Sequence, residues 1–178
     1  MTEEGWIKLF DGRDLSGWRM RFTDREHHWV VRDDILENTA RGVDIISEQE
    51  FGDFELHLEF LVPKDSNSGI GLRGRYEIQI LDSLGQEYDY PCENGSLYDL
   101  KSPDVEASKP AGEWQTIDIE LRGMILSAVL NGQKIHDKVT IERPTGIHPS
   151  GGDEHSGPLI LQGDHGPILF RDIRLREL

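Results

Sequence analysis

The 178 residues suffice for one domain, 1–178, that buries roughly two-thirds of its unfolded surface around a single core, with no room for a second catalytic domain. Hydrophobic residues at 36% and charged residues at 30% make a globular composition rather than a disordered one. The 34 Asp and Glu against 19 Lys and Arg give a formal charge of -15, which repels phosphate backbones and anionic lipid, so neither nucleic acid nor a membrane surface is an expected partner.

The first residues, Met1 to Trp6, carry neither a basic n-region nor an apolar h-region, and no run of about 18 apolar residues follows. As written, the chain reads as untargeted and cytoplasmic, or as periplasmic or secreted if a leader has been removed. Its dominant period is two. After Trp29 to Arg32 and Val43 to Ser47, the stretch Asp53 to Val62 places Phe54, Leu56, Leu58, Phe60 and Val62 on one face and Glu55, His57 and Glu59 on the other. Strand-like runs continue at Ser68 to Arg73, Tyr76 to Leu81, Trp114 to Arg122, Met124 to Leu130, Gln133 to Asp137, Leu159 to Gln162 and Ile168 to Leu175. Many short strands with almost no helix-period sequence predict an all-β sandwich or barrel.

Turn residues refine this pattern. Asn131-Gly132 between two alternating runs predicts a tight hairpin, and Arg122-Gly123 turns the preceding strand into the same meander. In the last strand Ile173 and Leu175 fall out of phase with Ile168 and Phe170, which predicts a bulge near Arg171 and Asp172. Alternation fails over Asp82 to Gly112 and again over Glu142 to Gly157, and irregular stretches this long in a compact domain usually carry function.

Two blocks carry candidate chemistry. In the first, Asn67 to Asp82, two strands hinge at Gly74; Tyr76, Ile78 and Ile80 share one face, and Glu77 and Gln79 share the other, about 7 Å apart. Gly69, Gly71 and Arg73 share a face of the neighbouring strand, which leaves room above the sheet beside a guanidinium, with Asp82 at the far end. The plainer alternative makes Glu77 and Gln79 the solvated face of an antiparallel sheet. In the second block, Leu161 to Pro167, His165 suits proton transfer near neutrality, although Asp164 and His165 are also ordinary turn formers beside Gly and Pro. The lone Cys92 excludes an internal disulfide and reads as a small buried hydrophobe, while His27 and His28, adjacent on a strand, face opposite ways and cannot share a metal. Zinc-type His motifs, phosphate loops, dinucleotide fingerprints and the Gly-x-Ser-x-Gly elbow are all absent from the sequence.

Taken together, Leu9-Phe-Asp-Gly, Leu15-Ser-Gly-Trp18, Phe51 to Phe60, Asn67-Ser-Gly-Ile, Arg73 to Asp82, Gly95-Ser-Leu-Tyr98, Lys109 to Trp114, Leu130-Asn-Gly132 and Gly157 to Ile173 resemble the 3-keto-disaccharide hydrolase family over nearly the whole chain. The resemblance implies a concanavalin A-like jelly roll, two antiparallel sheets with sugar bound on the concave face of one. It also implies action on sugars oxidised at C3, with a separate sugar 3-dehydrogenase as the functional partner that makes the ketone. Gly71 stands where the family has a larger, often aromatic residue, which predicts a wider pocket floor, and Cys92 and Glu93 lie in the family's most variable loop.

A 3-keto group acidifies the proton on C2, so the C1 substituent can leave by elimination and water can add back. This chemistry needs a base, a polariser of the ketone oxygen and an acid for the leaving oxygen. The expected base is Glu77 or His165, and the polariser is Arg73 or a divalent ion held by Asp82, Asp164 and His165. Gln79, Gln162, Tyr98, Asn67 and Asp82 are expected to bind the sugar. Two alternatives stand beside this reading. One is an ordinary glycosidase with paired carboxylates. The other is a non-catalytic carbohydrate-binding module that stacks sugars on Trp18, Tyr76, Tyr88, Tyr90 and Tyr98.

Overall fold

The computed structural model describes residues 4–147 and 155–178, which contain thirteen strands and no helix. In chain order these are β1 (Ile7–Lys8), β2 (Trp18–Met20), β3 (Trp29–Arg32), β4 (Ile35–Asn38), β5 (Ile45–Phe51), β6 (Phe54–Leu61) and β7 (Asn67–Leu72). They continue with β8 (Tyr76–Leu81), β9 (Gln115–Arg122), β10 (Ile125–Leu130), β11 (Gln133–Thr140), β12 (Gly157–Leu161) and β13 (Ile168–Glu177). One sheet runs β11-β10-β9-β6-β13-β4-β3 with β1 added on β13, and the other runs β2-β5-β12-β7-β8. This is the two-sheet antiparallel jelly-roll sandwich that the alternation predicts.

The period-two pattern sets the core. β6 turns Phe54, Leu56, Leu58 and Phe60 inward, β9 adds Ile117, Ile119 and Leu121, and the smaller sheet answers with Ile70, Leu72, Ile78 and Ile80, all at most 2% exposed. Each such side chain contributes about 1.5–3 kcal/mol of burial free energy, and together these contacts fix which face of each strand points outward. The predicted turns are present: Asn131 and Gly132 both have positive φ (51° and 80°), and Leu130 pairs with Gln133 across them. The β13 bulge is present too, as a register shift against β6 between Arg171 and Arg174, with Asp172 at φ 46°. The strand pattern overlooks β1, β2 and β4, which are two to four residues long and too short to show alternation. The β3–β4 hairpin turns on Asp33 and Asp34, both at positive φ (52° and 61°).

The smaller sheet is covered on both sides, since β12 is buried along its whole length and β8 at five of its six residues. The long irregular stretches supply the outer cover. Residues 95–98 pair with the free edge of β8: Gln79 N–H donates to Ser96 O (2.9 Å), Gly95 N–H to Gln79 O (2.8 Å) and Tyr98 N–H to Glu77 O (2.9 Å). Thr145 closes the same edge, accepting the Glu77 N–H at its hydroxyl (2.7 Å) and donating its own N–H to Arg75 O (2.9 Å). An otherwise open edge of unpaired backbone groups is thereby satisfied, and a roof is fastened over the outward side chains of β7 and β8.

Candidate active site

Under that roof lies a cavity of about 320 Å³, a volume in the range of small-molecule sites. Its floor is polar, built from Asn67 of β7, Glu77 and Gln79 of β8, and Gln162 just beyond β12. Its wall is aromatic and apolar, made of Tyr88, Tyr90, Cys92 and Tyr98 from the first long loop with Leu81, while Gly146 and His165 close the rim.

Glu77 is the centre of the floor. It is 4% exposed, and its carboxyl leans over Gly69, where a Cβ would stand 2.3 Å from Oε1; Oε2 faces Gly146, which the Tyr98 ring also approaches. Burial, with the negative charges of Asp44 and Asp164 adding to it, raises the carboxyl to about 7. Asn67 Oδ1 and Gln162 Oε1 are buried acceptors with no hydrogen-bond partner among the described residues, in a cavity that could present them with hydroxyl donors. Buried polar atoms are almost always paired, and these two acceptors, on residues that line the cavity, are left for donors other than the described protein groups.

His165 arrives on the turn after β12, which is pinned from below. Gly163 N–H donates to Asp44 Oδ1 (3.0 Å), Asn38 Nδ2 donates to Gly163 O (3.1 Å) and Gly166 O (2.9 Å), and Ser66 Oγ donates to Pro167 O (2.6 Å). Asp44 itself is 3% exposed and also accepts from Arg21 Nη1 at 2.9 Å. At the rim, His165 Nδ1–H donates to Asp164 Oδ1 (2.5 Å), which fixes the tautomer and leaves Nε2 for proton transfer.

The model of the 3-keto-alpha-glucoside-1,2-lyase-like domain matches residues 5–176. The chain belongs to that family. A 3-keto-disaccharide hydrolase of Bacteroides thetaiotaomicron is 25% identical over 232 aligned positions, covering 98% of this chain and 79% of the relative. A candidate glycosyl hydrolase from Parabacteroides distasonis is 31% identical, with TM-score 0.80 over 98% of this chain and 84% of its own. The carbohydrate-binding module CBM66 of Bacillus subtilis shares the fold, with TM-score 0.60 at 14% identity over 94% of this chain and 99% of its own. As a member of the 3-keto-alpha-glucoside-1,2-lyase-like family, the chain is a glycoside hydrolase-like enzyme with a sugar substrate.

In this lyase-like domain six of the eight expected site residues meet in one cavity: Glu77, Gln79, Asn67, Gln162, Tyr98 and His165. Arg73 does not join them. β7 ends at Leu72, Arg73 takes φ 50°, and its fully buried guanidinium donates to Gly52 O (2.8 Å), Gly123 O (2.7 Å) and Asp53 Oδ1 (2.7 Å). Face-sharing with Gly69 and Gly71 does not reach Arg73 because the strand stops one residue earlier. Asp82 is also outside the cavity lining: its Oδ2 accepts the Asp65 N–H (2.9 Å) and ties down the β6–β7 turn.

Three further expectations change. Glu77 and Gln79 are no solvated face, since both are 4% exposed beneath the loops. Nor does Gly71 widen the floor: Ile147 and Ile160 fill the space a Cβ would take, at 2.8 and 2.9 Å. Trp18 and Tyr76 lie in the core, where Trp18 Nε1 donates to Leu9 O, so neither can stack on a sugar. Leu81, Cys92 and Gly146 also line the cavity; the sequence offered for them only Leu81's place at the end of a strand, Cys92's place in the variable loop and Gly146's in the second irregular stretch.

The expected metal ligands do not converge either. Asp164 and His165 pair with each other, while Asp82 is held by the Asp65 backbone. Among the described residues, the group of three His, Asp or Glu donors within 4.8 Å of one another is His57, Glu59 and Asp172 on the larger sheet, where Asp118 and Arg171 already pair with His57 and Glu59. The residues at the cavity do not fit a three-ligand ion site built from Asp82, Asp164 and His165.

Proposed function

We propose that the chain cleaves glycosides whose sugar ring carries a ketone at C3, by elimination across C2 and C1 followed by hydration. The observation that carries this reading is that Glu77 is the single carboxylate among the described residues lining the cavity. An ordinary glycosidase needs two carboxylates flanking the scissile bond, about 5 to 9 Å apart, and this floor offers one among amides. Proton removal α to a ketone needs one base, and a carboxyl near 7 is about half ionised at neutral pH, close to the optimum for moving a proton in both directions.

In this reading Glu77 takes the C2 proton, and the electron pair moves to the ketone oxygen as an enolate. Gln79 and Tyr98 supply neutral donors to that oxygen, the part expected of Arg73 or a divalent ion. The enolate reforms the ketone as the C1–O bond breaks, leaving a C1–C2 double bond, and His165, oriented by its Nδ1–H bond to Asp164, protonates the departing oxygen from Nε2. Water then adds at C1 with His165 taking its proton, and Glu77 returns a proton to C2, so both groups regain their starting states. Asn67 Oδ1 and Gln162 Oε1 accept from ring hydroxyls and hold the sugar over Glu77. A sugar 3-dehydrogenase would supply the ketone.

A module that only bound sugar would have no use for a carboxyl whose charged form is disfavoured by its surroundings. Single substitutions test the assignment: Glu77→Gln and His165→Ala should each lower turnover of a 3-keto-glucoside by at least about 100-fold, the usual scale for an acid or base. Near-parental rates in both would sink it.

A further inference from the structure

The cavity is two-sided, and the proton chemistry uses its floor with His165 at the rim and Tyr98, which leaves the outer part of the wall without a role. The wall holds Tyr88 and Tyr90, two residues apart on the 82–112 loop, 37% and 50% exposed and among the most exposed large hydrophobic side chains described. Neither ring is loose. Tyr88 OH donates to Gln86 Oε1 (3.0 Å), and Tyr90 meets the Tyr98 ring edge-on with centroids 6.3 Å apart at 87°. Hydrogen bonding with Cys92 and Tyr98 holds the Tyr90 phenol up at about 12, so it stays a neutral hydroxyl.

We infer that Tyr88 and Tyr90 form the leaving-group subsite, a wall that stacks on the C–H face of a second pyranose ring joined to C1 of the reacting sugar. This rests on the proposed function. The floor's open acceptors, Asn67 Oδ1 and Gln162 Oε1, call for hydroxyls and fix the reacting ring over Glu77. The wall offers flat apolar surface to whatever projects from C1 toward the mouth. A pyranose has both a C–H face for the rings and edge hydroxyls for the two phenol oxygens, whereas a methyl group reaches neither. A disaccharide should therefore gain over a methyl glycoside that has the same reacting ring.

The test compares kcat/KM for a 3-keto-disaccharide and for methyl 3-keto-glucoside in the parent, Tyr88→Ala, Tyr90→Ala and Tyr90→Phe. The parent should favour the disaccharide, each Ala variant should lower that ratio by about tenfold, the scale of a lost ring contact, and Tyr90→Phe should keep most of it. A ratio unchanged in both Ala variants, or a parent with no preference, overturns the subsite while the proposed function stands. If the parent turns over neither keto substrate, the proposed function fails, and calorimetric binding of the same two ligands decides the wall. Tighter disaccharide binding lost in the Ala variants supports it, and equal binding overturns it.

Discussion

Glu77 sits where burial and two negative neighbours work against its ionised form, and this gives it a signature in both activity and stability. As the base it must be deprotonated, so kcat/KM should fall about tenfold for each pH unit below about 7. Asp44→Asn, which removes one of those charges and keeps an acceptor for Gly163 N–H, should move that limb to lower pH; an unmoved limb would mean that another group sets it. The stability sign follows from a folded value raised above the ordinary 4.5. The stability is fully present below about 4.5 and is lost as pH rises through about 7. The free-energy equivalent of that shift is about 3 kcal/mol. Glu77→Gln should therefore unfold at higher urea than the parent near about pH 8 and at the same urea near about pH 4, a reversal of the usual loss on altering a buried polar group.

At the scale of the element, the β7–β8 hairpin does two separate jobs. Gly69 leaves the space that the Glu77 carboxyl occupies, and the atom a methyl would strike is the far end of a flexible side chain. Gly69→Ala should therefore keep its fold while displacing the carboxyl, with kcat/KM down by about 100-fold and a urea midpoint close to the parent's. Full activity would mean that Glu77 acts from another position. Arg73 works at the other end of the hairpin, bracing the β5–β6 and β9–β10 turns through Gly52 O, Asp53 and Gly123 O. Arg73→Lys gives up the fork that reaches all three, so stability should drop by about 2 kcal/mol while turnover per folded molecule holds. Loss of turnover at unchanged stability would return Arg73 to the chemistry. These two positions also show what a strand pattern can carry. Alternation put Glu77 and Gln79 on one outward face, which holds in the structure. It could not show that loops remote in sequence bury that face, that the strand ends before Arg73, or that Ile147 fills the space over Gly71, because each depends on contacts between distant segments.

Across the whole molecule, the two sheets divide their labour. Apolar alternation in β6 and β9 builds the larger sheet as a support, whereas the smaller sheet exposes to its roofing loops the side chains that meet a sugar. The sandwich, the Asn131-Gly132 hairpin and the β13 bulge were legible in the sequence because each follows from local periodicity or turn chemistry. The cavity was legible in part: its strand-borne floor came from face-sharing, while Leu81, Cys92 and Gly146 came into view only once the loops closed over the sheet. The reading of a single base acting beside a ketone is tested most directly by incubating the protein with methyl 3-keto-glucoside and with its unoxidised parent and measuring the alcohol released from C1. Release from the keto form alone is the predicted result, and release from the parent sugar would contradict it.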